Sequence, residues 1–186
     1  MSHLHTFNQK TMTPTGLLAE RKALIDRHFP QFFSGKRLLD IGCNKGYFSI
    51  ASAGSFQEVV GIDKNKAAIK TCNMLKRFHH VENVKFVNVS FMKFRCSKAF
   101  DKVFAGHVCH HLFVEAGSHK WIDNLAKLSS GYVLMEGAYN TASPETKNFP
   151  LRFNDFMGWM SDYFVLKAMT ESCVPGTHFM LWERRR

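Results

Sequence analysis

Apolar positions in this chain fall into short continuous runs, separated by stretches where they recur at helical spacing. Leu17, Leu18, Ile25 and Phe29 predict an amphipathic helix over residues 15–29, closed by Pro30. A buried strand follows over 37–41 and stops at a glycine. Residues 47–53 suit a helix broken by Gly54-Ser55, and 58–62 a second strand. The next helix, 66–78, turns Ala68, Ile69, Cys72 and Leu75 inward. Strands are predicted over 84–89, 100–106 and 131–136, with a helix over 121–128 between the last two. Unbroken apolar strands alternating with helices indicate a parallel sheet covered on both faces.

The last third changes pattern. A helix is expected over 154–160, then strands over 164–169 and 178–182 with Pro175-Gly176 between them. About eight residues join these strands, too few for a crossover helix, so they should pair antiparallel. The fold expected is a doubly wound, mostly parallel, seven-stranded α/β sheet with a C-terminal antiparallel hairpin. It forms one domain over 1–186: a helical cap (1–35), a core (36–137), and a substrate-side helix and hairpin (138–186). Met157, Met160, Met169 and Met180 read as core filling. Phe149, Phe153, Phe156, Trp159 and Phe164 read as mostly core, with some available for a substrate lid.

The most specific segment is Leu38-Leu39-Asp40-Ile41-Gly42-Cys43-Asn44-Lys45-Gly46-Tyr47-Phe48. A strand enters D-x-G-x-x-x-G and a helix leaves it. Glycines there permit a sharp turn and close approach of a ligand, and the helix N-terminus offers free N–H groups to a carboxylate. The spacing matches neither a dinucleotide fingerprint nor a P-loop. Asp63 ends the second strand 21 residues after Gly42, where an acid accepts hydrogen bonds from ribose hydroxyls. Its alternative role is to cap the helix that starts near Asn65. A ligand with an amino-acid-like end and a ribose fits this layout.

Over roughly 36–137 the chain resembles the class I S-adenosylmethionine-dependent methyltransferases. Asp40, Gly42 and Gly46 match the family's first motif, with Asn44 inside the same loop, and Asp63, followed by Lys64, matches its ribose-binding acid. The resemblance implies S-adenosyl-L-methionine as cofactor. It implies a basic residue, Arg21, on the cofactor carboxylate, and Ser90 and Phe91 beside the adenine, where the family's usual acid or amide is missing. Phe100 to His107 resembles the family's fourth strand, with Gly106 at its end. A fainter similarity links the layout to the methyltransferase module of enzymes that cap O-antigen chains.

His107, His110 and His111 follow that fourth strand, and Glu136 ends the fifth. They are the candidate bases or substrate ligands; Glu136 equally suits pairing with an arginine. One histidine as a helix cap and another in the core is the competing assignment. Their spacing matches no standard metal site, and no metal is expected.

Charge narrows the acceptor. The chain carries 25 Lys+Arg and 15 Asp+Glu, a formal net charge of +10. Ten of the cations lie between Lys64 and Lys102. A solvated basic face is one explanation; an anionic partner such as RNA or a phosphorylated saccharide is the other. The expected activity is in-line methyl transfer to an oxygen of a polar or anionic small molecule or saccharide phosphate. The alternatives are an RNA methyltransferase using the 64–102 face and a non-catalytic binding module that keeps the cofactor fold. Five scattered cysteines, no apolar run near 20 residues and no apolar N-terminal core point to a cytoplasmic protein without disulfides or a membrane span.

Overall fold

The computed structural model describes residues 6–140 and 151–186. Two short strands, β1 (Phe7–Asn8) and β2 (Thr13–Pro14), pair as a small hairpin and lead into α1 (Leu17–His28). The main sheet takes β3 (Gly35–Ile41), β4 (Phe56–Asp63), β5 (Val84–Asn88), β6 (Phe100–Gly106), β7 (Ser129–Ala138), β8 (Phe164–Glu171) and β9 (Thr177–Arg184). The helices between them are α2 (Tyr47–Ala51), α3 (Lys66–Phe78), α4 (Cys109–Ala116), α5 (Lys120–Leu128) and α6 (Phe153–Ser161). A single 3-10 turn at Ala53–Ser55 follows α2.

Strand order is β5-β4-β3-β6-β7-β9-β8, with the first five parallel and β9 antiparallel to both neighbours. This is the expected doubly wound sheet with its C-terminal hairpin. Chain direction reverses its lateral progress between β3 and β6, and the loops at their carboxyl ends splay apart there to leave a crevice.

Neighbouring residues on each strand divide between the two faces. Leu39, Val60, Val103, Val133 and Met180 pack under α5 and α6, against Trp121, Leu125 and Phe156. Leu38, Val59, Phe104, Leu134 and Phe179 pack on the other face, against Ile25, Ile50, Ile69 and Leu75. Both faces are buried, which is why the strands read as continuous apolar runs. Asp101 fixes the start of β3 by accepting from the backbone N–H groups of Lys36 and Arg37.

Three expectations need correction. Residues 109–116 form α4, for which no helix was expected: its apolar positions are few and histidines occupy its first turn. Met169 is exposed on the edge strand β8, whereas Met160 and Met180 are buried. Lys102 does not join an exposed basic face; it is half-buried against Tyr132 and Phe32, 4.3 and 5.6 Å from their ring centres. Phe149 lies outside the described residues, while Phe156 and Phe164 are buried in the core.

Candidate active site

The turn after β3 is held from two sides. Gly42 and Cys43 donate their N–H groups to the carbonyl of Ile62 on β4, at 2.9 and 3.0 Å. Asp63, one residue on, accepts from the N–H of Asn44 at 2.9 Å and, with its other oxygen, from the N–H of Asn65 at 2.8 Å. The N-cap of α3 is Asn65, whose side chain accepts from Ala67 and Ala68, so Asp63 is not the cap. Its carboxylate instead ties the glycine turn to the start of α3 and keeps lone pairs for further donors.

The two glycines serve different ends. Gly42 has φ +69°, and a Cβ there would lie 2.5 Å from Cγ1 of Val108, so the loop after β6 closes directly on the turn. Gly46 has φ +79°, and a Cβ would meet Phe86 at 2.9 Å and Sγ of Cys72 at 3.0 Å. It therefore packs the turn onto the core and does not line the crevice. Asn44 also takes a left-handed conformation, φ 48°, a region asparagine tolerates.

Two cavities flank Gly42. The first is lined by Arg21, Asp40, Gly42, Asn44, Tyr47 and Gly106, among others. The second is lined by Asp63, Lys64, Ser90, Phe91, His111 and Glu115, together with Gly42 and Ile62. Of the residues singled out from the sequence, Gly46, His107, His110 and Glu136 line neither cavity. Glu115, which sequence reasoning missed, accepts a hydrogen bond from Ser90 and pairs with Lys64 at 3.4 Å. Its signal lay in helical spacing from His111, which only a helix over 109–116 makes visible.

Arg21 does not reach solvent. It is fully buried and forms an ion pair with the fully buried Glu136, whose other oxygen accepts from the hydroxyl of Ser172. The guanidinium lies against Gly106, where a Cβ would come within 2.8 Å of Nη2. Its Nε and Nη1 have no hydrogen-bond partner among the described residues, although the side chain borders the first cavity. Buried donors without acceptors are rare in native folds and fit an anionic ligand group here.

Asp40 is buried and accepts from the hydroxyl of Ser49 at 2.6 Å. Burial pushes its carboxyl up to about 7; the Ser49 bond pulls the other way, and the charge of Asp63 adds to the rise. His107 and His110 are shifted oppositely, each down to about 4, first by burial and then by neighbouring cations or histidines. Both imidazoles are therefore neutral at neutral pH. His107 has φ 58° and donates its backbone N–H to the carbonyl of Glu136 at 2.9 Å, which locks the ends of β6 and β7 together. Rings of His107 and His110 are 5.0 Å apart, those of His110 and His111 4.1 Å. His111 alone of the three borders a cavity described here.

A methyltransferase-domain family model matches residues 32–151, and the chain belongs to that family. The architecture is that of the class I S-adenosylmethionine-dependent methyltransferases, as the first motif implied. The N-methyltransferase NodS from Bradyrhizobium japonicum WM9, solved with S-adenosyl-L-homocysteine, superposes with a TM-score of 0.73 at 14% identity, over 89% of this chain and 86% of that one. A tRNA U34 carboxymethyltransferase from Colwellia psychrerythraea is 38% identical over 80 residues, 42% of this chain and 24% of its own length. The U6 snRNA methylphosphate capping enzyme Amus from Drosophila melanogaster is 36% identical over 73 residues, 34% of this chain and 24% of its own length. The matched stretch thus spans about a quarter of each of these two relatives.

Removing one member of the buried pair strands the other. Glu136→Ala should destabilise the fold by about 3–5 kcal/mol in urea denaturation, whereas the double change Arg21→Met with Glu136→Leu should cost much less. Equal losses in the single and double variants would show that the pair is not coupled. Asp40 gives a pH signature. Its folded-state value lies above the usual carboxylate value, so its contribution is intact below about pH 4 and is lost as pH rises through about 7. An Asp40→Asn variant should therefore gain stability on the parent between pH 5 and 8, by on the order of 2–3 kcal/mol. Thermal melts across that range check it; a constant gap between the two proteins rejects it.

Proposed function

We propose that this chain transfers a methyl group from S-adenosylmethionine to an oxygen that is already anionic, of which phosphate is the chemical class. The observation that carries this reading is the state of the groups at the strand ends. Glu136 is committed to Arg21 and Ser172, and burial keeps His107 and His110 neutral with little affinity for a proton. A hydroxyl acceptor needs a base matched to neutral pH. A phosphate oxygen needs none; it needs positive surroundings and a fixed position in line with the methyl carbon.

The residues present fit the cofactor. The unpartnered Nε and Nη1 of Arg21 suit its carboxylate. Asp63 keeps lone pairs for ribose hydroxyls, and Ile62 and Phe91 give the second cavity apolar walls suited to a base. When bound, S-adenosylmethionine supplies a methyl group already activated on a sulfonium. The chain's own part is to orient the acceptor, exclude water and keep the buried carboxylates from competing for the methyl group.

Phosphates occur on RNA ends and on phosphorylated saccharides. RNA is favoured, because both curated relatives described above carry RNA names and the chain bears a net charge of +10. A saccharide phosphate, in a chain that keeps to small acceptors, is the second reading.

Incubation with methyl-labelled cofactor and separate RNA, saccharide-phosphate, protein and small-molecule pools tests this. Label should enter RNA and be abolished when the RNA is first treated with phosphatase. Label that survives phosphatase treatment rejects the phosphate acceptor, and cofactor binding without transfer to any pool favours a binding module. In the same assay His107→Asn should keep kcat within about ten-fold, because loss of a true general base costs roughly 10²–10⁴-fold. Asp63→Ala should weaken binding of S-adenosylhomocysteine in calorimetry by about 1–3 kcal/mol.

A further inference from the structure

Helix α3 carries Lys66, Lys70, Lys76 and Arg77 and no acidic residue. Its exposed side chains form a stripe at helical spacing: Lys66, Lys70, Met74, Phe78, with Arg77 beside the last. Met74 and Phe78 are 55% and 59% exposed, an unusual state for large apolar side chains set together. They are not on a bare helix face. The β1–β2 hairpin runs alongside, held by a 2.7 Å bond between Nε2 of His79 and the carbonyl of Gln9, and forms the second wall of a groove. That open groove has a volume of about 400 Å³ and is lined by Lys10, Met74, Leu75, Arg77 and Phe78, with Gln9 and Thr71. Phe7, three residues before Lys10 on the same hairpin, borders the first cavity of the active site.

We propose that this groove is a docking platform for single-stranded RNA. An exposed aromatic ring accepts a stacked base of any identity, and cations spaced along one line track the phosphates. Lys10 and Arg77 line the groove together with Phe78, and Lys66 and Lys70 continue the positive line along the helix. The nearest acid that follows, Glu82, lies beyond the end of α3, so no carboxylate on the helix opposes a polyanion. An apolar protein ligand would be served by Met74 and Phe78 but would gain nothing from this row of unopposed cations. The proposal rests on the RNA reading of the acceptor and places the strand on the hairpin that also reaches the catalytic crevice.

Fluorescence anisotropy with a labelled single-stranded 12-nucleotide oligouridylate at several salt concentrations tests it. Calorimetry with S-adenosylhomocysteine and a melting curve serve as controls on each variant. Lys70→Glu with Arg77→Glu should weaken RNA binding at least ten-fold and lower the salt slope by about 1.4, at about 0.7 per phosphate contact. Met74→Ala with Phe78→Ala should weaken it about ten-fold with the slope unchanged. Unchanged cofactor binding and melting in both variants would assign the loss to the groove.

Parental affinity in both variants overturns the platform and leaves the RNA reading standing. A parent protein that binds cofactor but no RNA overturns both. A parent that elutes as a dimer, made monomeric by Phe78→Ala with RNA affinity intact, reassigns the groove to self-association and overturns the proposal.

Discussion

A single carboxylate organises the crevice. Asp63 leaves the end of β4 and receives two backbone N–H groups, one from the turn after β3 and one from the start of α3. The turn after β3 and the start of α3, about twenty residues apart, thus converge on one charge. Hydrogen bonds to an ionised acceptor are among the stronger ones a fold makes. The turn needs that support: three of its residues hold left-handed backbone conformations, and two of its N–H groups share the carbonyl of Ile62. The two cavities meet at Gly42 because this arrangement keeps the backbone between them thin.

Electrostatics around that turn are arranged by burial more than by surface charge. Asp40 is pushed toward the neutral form, while His107 and His110 are stripped of their tendency to take protons. Arg21 is paired with Glu136 and keeps two donors without acceptors beside the cavity. The result is a site with a buried cation, a carboxylate poised between states and two neutral imidazoles set behind it. That combination suits an acceptor arriving with its own negative charge.

Much of the fold was legible in the sequence. Apolar runs on β3, β4, β6 and β7 marked a parallel sheet covered on both faces, because only strands buried on both faces look so unbroken. The glycine spacing and Asp63 marked the crevice through backbone requirements, which leave a clear trace in residue type. What stayed hidden depends on contacts across the chain. Arg21 looks like any helix cation until its partner on β7 is known. Glu115 reaches the crevice only because 109–116 coils into a helix that its histidines disguise. Lys102 counted toward a basic surface, yet its stem lies against two aromatic rings, a setting set by tertiary packing alone.

The Arg21–Glu136 pair also imposes an order on assembly. Arg21 sits on α1, and its partner belongs to a strand that emerges from the ribosome more than a hundred residues later. At roughly 5–20 residues per second, the guanidinium waits on the order of ten seconds for its counter-charge. During that interval α1 cannot settle on the half-built sheet without burying an uncompensated cation. Nascent chains should therefore hold this helix away until β7 is in place, so the crevice closes only after most of the parallel sheet has been made.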